Sequence, residues 1–382
     1  MKNNNNCLPW NLSLVLILLS LVIVVGCSKE DEEEKILPQS QPAVEEEYNS
    51  KALLTNYANG YIKPAYSEYL LKVTELKSEI VNFNNTLTEA ALQNLRIKWE
   101  NALLVWQDVA FLDFGPAKFS SYKTNSFPTD TTLISSNISS GSYNLQLNPN
   151  YRAAGFQALD FLINGVSSND AGIVNYFSNT ANARVYLLDI VDVLENNANF
   201  VNNEWQGSYT NSFINNNGNN GEVIGIFDMV CAINHHYVYS VRLGKIGIPL
   251  GIDDFNPMAM PNHVEALYYE KSLPFLFRSL NAMQTFINGN NYVTNITGEG
   301  LDDYMTFLKA KTDGQDLQAV INNQFETIRL ELANINDPLS NEVLTNSSGV
   351  AVLYEKMQQM LVYLKVDMSN SLEVFCPIYE ND

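Results

Sequence analysis

A chain of 382 residues that is 46% hydrophobic and 17% charged holds enough apolar material for one large or two ordinary domains, and is not disordered overall. Its 22 basic and 42 acidic residues give a net charge of −20, which repels nucleic acid and anionic lipid and favours cations or cationic partners. That balance argues against a phosphate-backbone binder.

The first 27 residues read as an address. Lys2 precedes an apolar run of 14 residues from Leu12 to Val25, long enough for a signal segment and short for a membrane span. The run ends Val24-Val25-Gly26-Cys27, which resembles the lipobox of bacterial lipoproteins, in which the cysteine is acylated and becomes the mature N-terminus. The alternative is an ordinary secretory signal with an incidental Cys27. Residues 28–47 carry Lys29 followed by a run of acids, then a Pro/Gln-rich piece and Glu45-Glu46-Glu47, a composition that cannot bury apolar area and reads as a solvated tether. Lysine and acids placed directly after the cysteine resemble the export signal of Bacteroidota lipoproteins, which implies an outer-membrane protein facing the cell surface. A tether that spaces a periplasmic domain is the other reading.

From Tyr48 the pattern is helical almost throughout. Leu54, Ala58, Tyr61, Ile62, Ala65, Tyr69, Val73, Leu76 and Ile80 make one stripe, and Pro64 inside it predicts a kink or a helix start. Leu92, Leu95, Trp99, Leu103, Trp106 and Ala110 predict a second helix of about six turns, stopped by Phe114-Gly115-Pro116. Residues 124–149 are rich in Ser, Thr, Asn and Gly and show no long stripe. Further stripes run from Leu187 to Trp205, from Val223 to Val241, from Val320 to Leu332 and from Leu353 to Met368. The Asn/Gly run 215–221 divides the mature chain into two helical halves, about 48–214 and 222–376, each with material for a bundle of about four helices. The expected fold is therefore all-α, two bundle-like halves packed together. Cys231 and Cys376, the cysteines left once Cys7 and Cys27 are set aside, form either one disulfide or two thiols.

Tyr61-Ile62-Lys63-Pro64-Ala65-Tyr66, Trp99 with Trp106, Phe114-Gly115-Pro116, Gly155-Phe156-Gln157-Ala158-Leu159-Asp160, Gly244 to Gly251 and Leu364 to Met368 occur in the order and spacing of imelysin-like proteins, which the chain resembles from about Tyr48 to about Val374. That resemblance implies an all-helical envelope lipoprotein linked to iron or haem acquisition, in a family that also carries a peptidase label. The family signature Gly-x-His-x-x-Glu falls on Gly155, Gln157 and Asp160. Histidine offers a titrating nitrogen that binds transition metals, whereas a glutamine amide does not titrate and is a poor metal ligand. Three residues apart, Gln157 and Asp160 can share one helical face and bond a ligand, each other, or their surroundings.

Other candidates follow from spacing. Asp228, Cys231, His235, Tyr239 and Arg242 fall on one α-helical face, read as the polar lining of a gap between the halves. Asp113 continues the Trp99 stripe and is expected to point toward the same region as the Gln157 helix, or to be satisfied by a loop or N-terminal backbone group. Glu265, two residues after His263, belongs to a Val-Glu pair that the family tends to show. The chain has no His-Glu-x-x-His, no Gly-x-Ser-x-Gly and no glycine-rich phosphate loop, so a catalytic assignment rests on the family label alone. The sequence thus points to a non-catalytic binding component anchored to the membrane through Cys27. Its expected ligand is iron, haem or a cation, held in one cleft lined by Gln157, Asp160, His235 and Arg242. A metal-dependent peptidase and a scaffold for another envelope protein are the alternatives.

Overall fold

The structure is a computed structural model and describes residues 47–118, 121–215, 224–252 and 258–377. The signal segment, most of the tether and the Asn/Gly run lie outside the described residues. Helix α1 (Ser50–Asn56) is capped by Asn49, whose side chain accepts the Ala52 amide, and runs into a π-helical turn, Tyr57–Ile62, before α2 (Lys63–Thr86). The wide turn resolves the alternatives left by Pro64: the proline falls in the first turn of α2, where a missing backbone donor is least costly, and the helical path continues. Thr88 caps α3 (Glu89–Trp106). That helix ends at Trp106 and not near Ala110, because Gln107 and Asp108 leave it to make bonds inside the protein, 1% and 2% exposed.

The polar stretch beyond 124 contains α4 (Thr131–Ser140), capped by Asp130, and then α5 (Gly155–Asp160), which passes into a second π turn, Phe161–Gly165. Next come α6 (Asp170–Asn179), α7 (Ala181–Gln206), α8 (Tyr209–Asn215) and α9 (Ile224–His235), which continues as a π-helix from His236 to Gly247. The last third holds α10 (Leu273–Ile287), α11 (Leu301–Phe307), α12 (Leu317–Leu332), α13 (Leu339–Thr345) and α14 (Ser347–Leu361), the last passing into a π segment, Val362–Met368. Among the described residues the strands are β1 (Lys311–Thr312) and β2 (Gln315–Asp316), one small antiparallel hairpin. The all-α expectation holds.

From Tyr48 onward the chain forms one compact unit. Helix α2 packs against α3 and α7, while α10 packs against α3 and α12, so residues on both sides of the Asn/Gly run share one apolar core. Tyr57 stacks on Phe286 at 4.2 Å, and its hydroxyl accepts the Leu301 amide at 2.7 Å. Trp99 meets Phe275 edge-on at 6.1 Å and donates its indole N–H to the Phe156 carbonyl at 2.9 Å, fixing α5 to α3. Cys231 and Cys376 are joined as a disulfide, which ties the C-terminal segment to α9. Among the described residues no helix is long and apolar enough to cross a membrane.

Asp108, just past the end of α3, ties that segment to α10 through Arg278. Both its carboxylate oxygens accept from Arg278, each at 2.6 Å, and the Tyr292 hydroxyl donates to one of them at 2.9 Å. Burial pushes Asp108 up, and Arg278 opposes that shift. Removing the guanidinium would strand a buried carboxylate, so Arg278→Ala is expected to cost about 2–3 kcal/mol in urea unfolding, the half-exposed arginine placing it below a fully buried pair. A cost within about 0.5 kcal/mol would show that this pair is an ordinary surface contact.

Candidate functional site

Gly155 is where the site begins, and its role is conformational. It has φ of +71°, and a Cβ at this position would lie 2.3 Å from the Thr124 carbonyl oxygen, so the start of α5 can approach the preceding segment only as glycine. One turn later Gln157 and Asp160 do share a face, and both are buried, 2% and 1% exposed. They do not bond each other. The Gln157 carbonyl accepts the Ala266 amide at 2.8 Å, and its NH2 donates to Asn125 at 2.7 Å. Asp160 accepts the Tyr268 amide at 2.9 Å and the Asn164 NH2 at 2.9 Å. The pair therefore clamps the backbone of residues 266–268 onto α5.

Glu265 anchors the same segment from within. Its carboxylate pairs with Lys245 and accepts from Gln107 at 3.1 Å and Asn125 at 2.6 Å, while its backbone carbonyl accepts the Ser272 hydroxyl at 2.5 Å. Lys245 and Glu265 are 5% and 1% exposed at the side chain, and burial lowers the Lys245 ammonium while Glu265 raises it. Asn125 thus links Gln157 to this ion pair. His236 lies near Lys245 in the π-helix; burial, then Lys245, push its imidazole down to about 3 and keep it neutral. Gln107, Asn125 and Lys245 were not singled out from sequence, although a lysine enclosed by glycines and isoleucines in an apolar stripe was a signal of a buried pair.

Among the described residues the candidate side chains fall along two separate concavities, where the sequence predicted one cleft. The first, of about 890 Å3, is lined by Gln157, Asp160, Asn164, Arg96 and the 264–270 segment. The second, of about 700 Å3, is lined by Asp228, His235 and Tyr239 together with Phe114, Phe227 and the Cys231–Cys376 disulfide. Asp113 lines it too, not the cleft of the Gln157 helix toward which the stripe placed it, because the chain leaves the helix at Gln107. Arg242 lines neither. It bonds the Tyr354 hydroxyl and Gln358 at 2.7 Å, and its guanidinium lies 5.2 Å from the Tyr354 ring centre. The cause is the change of helix type at His236: i→i+5 hydrogen bonding widens each turn beyond 3.6 residues, so seven residues past His235 no longer complete two turns. Cys231 and His235, expected one turn apart, do line one concavity, the cysteine as a disulfide.

The motif's donor set does not fit a transition-metal ion. The carboxamide oxygen and both carboxylate oxygens already accept hydrogen bonds, and no imidazole or thiolate stands with them. Among the described residues no three His, Cys, Asp or Glu side chains converge as a metal cluster.

Burial pushes Asp160 from 3.8 up to about 7, opposed by the hydrogen bonds from Tyr268 and Asn164. A folded-state value above the unfolded one means that the stabilisation by the protonated carboxyl is complete below the unfolded value and is lost as pH rises through the folded one. Wild type is therefore expected to lose stability relative to Asp160→Asn between about pH 4 and pH 7, measured by urea unfolding at a series of pH values. A difference that stays flat across that window contradicts the assignment.

A family model described as imelysin, peptidase M75, matches residues 62–368. An iron-regulated protein A precursor from Parabacteroides distasonis superposes with a TM-score of 0.68 at 16% identity, covering 84% of this chain and 94% of that one. An imelysin-like protein from Psychrobacter arcticum superposes with a TM-score of 0.63 at 14% identity, covering 86% and 97%. At these identities the likeness shows the fold. No curated protein matches the chain.

Proposed function

The chain belongs to the imelysin family, and on that premise we propose that it is a non-catalytic binding component of the cell envelope, acting in iron or haem acquisition and anchored to the outer membrane through Cys27. The relative described as an iron-regulated protein A precursor supports an iron-linked role. One observation carries the choice of site: the imidazole of His235 and the phenol of Tyr239, 4.8 Å apart between ring centres, line a concavity walled by Phe114, Phe227 and Val238. Aromatic and aliphatic walls suit a flat apolar macrocycle, and imidazole and phenolate both serve as axial ligands to haem iron. His235 would hold the iron from one face with Tyr239 beside it, and the haem would supply the redox and ligand chemistry of the bound state.

The motif residues take a supporting part in this reading. Gln157 and Asp160 hold the 266–268 backbone, and their removal would loosen that segment without touching the haem ligands. Titration of the purified full chain with haem, followed by its absorption band, is expected to saturate near one equivalent. His235→Ala and Tyr239→Phe should each weaken binding by at least about tenfold, and Gln157→Ala should leave it within about threefold. Absence of haem binding, or variants at His235 and Tyr239 that bind like wild type, would overturn this assignment. Chelator-sensitive cleavage of a peptide library by the same preparation would favour the peptidase reading instead.

A further inference from the structure

We propose that the other cleft, beside Gln157 and Asp160, binds a neutral polyhydroxylated ligand of the carbohydrate class. The site is separate from the haem reading and does not depend on it. Charge narrows the ligand first. Arg96 is the one basic residue among those lining this cleft. Its Nη1 pairs with Asp170 at 2.8 Å, and its Nε and Nη2 donate to the Ile163 carbonyl at 3.0 and 2.9 Å. A phosphate or carboxylate ligand would meet Asp160, Asp170 and Glu270 without a free counter-charge. A cation fares little better, since Asp170 is already paired with Arg96, Asp160 accepts two hydrogen bonds, and Glu270 is exposed, where screening weakens its pull.

The remaining lining is uncharged, with hydroxyl groups set among apolar residues that include Pro128, Ile173, Val264 and Leu267. Thr131, Ser167, Ser168, Asn262 and Ser340 line the cleft, each able to donate and to accept, and Thr129, whose hydroxyl donates to the Arg152 carbonyl at 2.7 Å, can accept. A sugar presents the same dual character at every hydroxyl, whereas an apolar ligand would leave these groups unpaired. Two aromatic residues, Phe127 and Tyr268, lie among them, as platforms for the C–H faces of a pyranose ring. The Tyr268 ring is held in place: it packs on Phe161 at 5.2 Å, and a Cβ at Gly165 would come within 2.4 Å of its Cδ1, so glycine there lets the ring lie against the backbone. The clamp of Asp160 on the Tyr268 amide fixes the same residue from its main chain.

The test is saturation-transfer NMR on the purified full chain with unbranched glucans, mannans and galactans as probes. Purified polysaccharide from the source cells forms a separate arm, and phosphate and tetramethylammonium serve as charged controls. At least one neutral sugar is expected to bind; polysaccharide binding without free-oligosaccharide binding would assign a surface glycan as the source. Tyr268→Ala should weaken it about tenfold and Tyr268→Phe by less than about threefold, because the ring face and not the hydroxyl makes the contact. Ser168→Trp, at an exposed position on the rim, should block binding while leaving the unfolding temperature unchanged, which keeps the test valid if Tyr268→Ala fails to fold. Failure of every neutral sugar to bind, displacement of a bound sugar by either charged control, or sugar binding that survives Ser168→Trp would overturn the proposal. None of these outcomes bears on haem binding at His235.

Discussion

The buried pair of Lys245 and Glu265 is the interaction on which the rest of the site depends. Two charges removed from water are stabilising only when each is fully partnered, and losing one partner of such a pair typically costs about 3–5 kcal/mol. Here the carboxylate has Lys245, Gln107 and Asn125, drawn from the π-helix, the end of α3 and the segment before α4. Three separate parts of the chain therefore converge on one side chain of the 258–272 segment. Asn125 extends the network to Gln157, so the motif helix is oriented by the same pair.

That arrangement gives the signature a different meaning from the one its family resemblance implies. With glutamine and aspartate at the His and Glu positions, both side chains are matched to backbone amides of residues 266 and 268. A neutral amide is well suited to this duty, since it donates and accepts at once, and burial raises the Asp160 carboxyl to about 7. Beside these clamps lie the two concavities, one walled by apolar rings and the other lined in part by hydroxyl groups.

Much of the fold was legible in the sequence because amphipathic helices declare themselves by period. The Trp99 stripe, the Leu187 to Trp205 stripe and the Leu353 to Met368 stripe are buried as expected. The places where the reading fails share a cause. Arg242 was assigned to the face of His235 by a 3.6-residue period, and the π-helix from His236 changes that period without any mark in composition. The end of α3 was misplaced because Gln107 and Asp108 are polar residues that turn inward, and their partners Glu265 and Arg278 lie more than 150 residues away in sequence. The disulfide was left open for the same reason: a 145-residue separation carries no spacing signal. Gly155 was visible as part of a motif, but its need for positive φ beside the Thr124 carbonyl appears only once the two segments are together.

The central claim is that Gln157 and Asp160 are occupied by the main chain of the 266–268 segment. Amide hydrogen exchange at Ala266 and Tyr268 tests it most directly, since an amide held by a buried acceptor exchanges only through opening of the structure. The account predicts strong protection of both amides in the wild type, with selective loss at Ala266 in Gln157→Ala and at Tyr268 in Asp160→Ala. Rapid exchange of both amides in the wild type, or protection that survives removal of their acceptors, would contradict it.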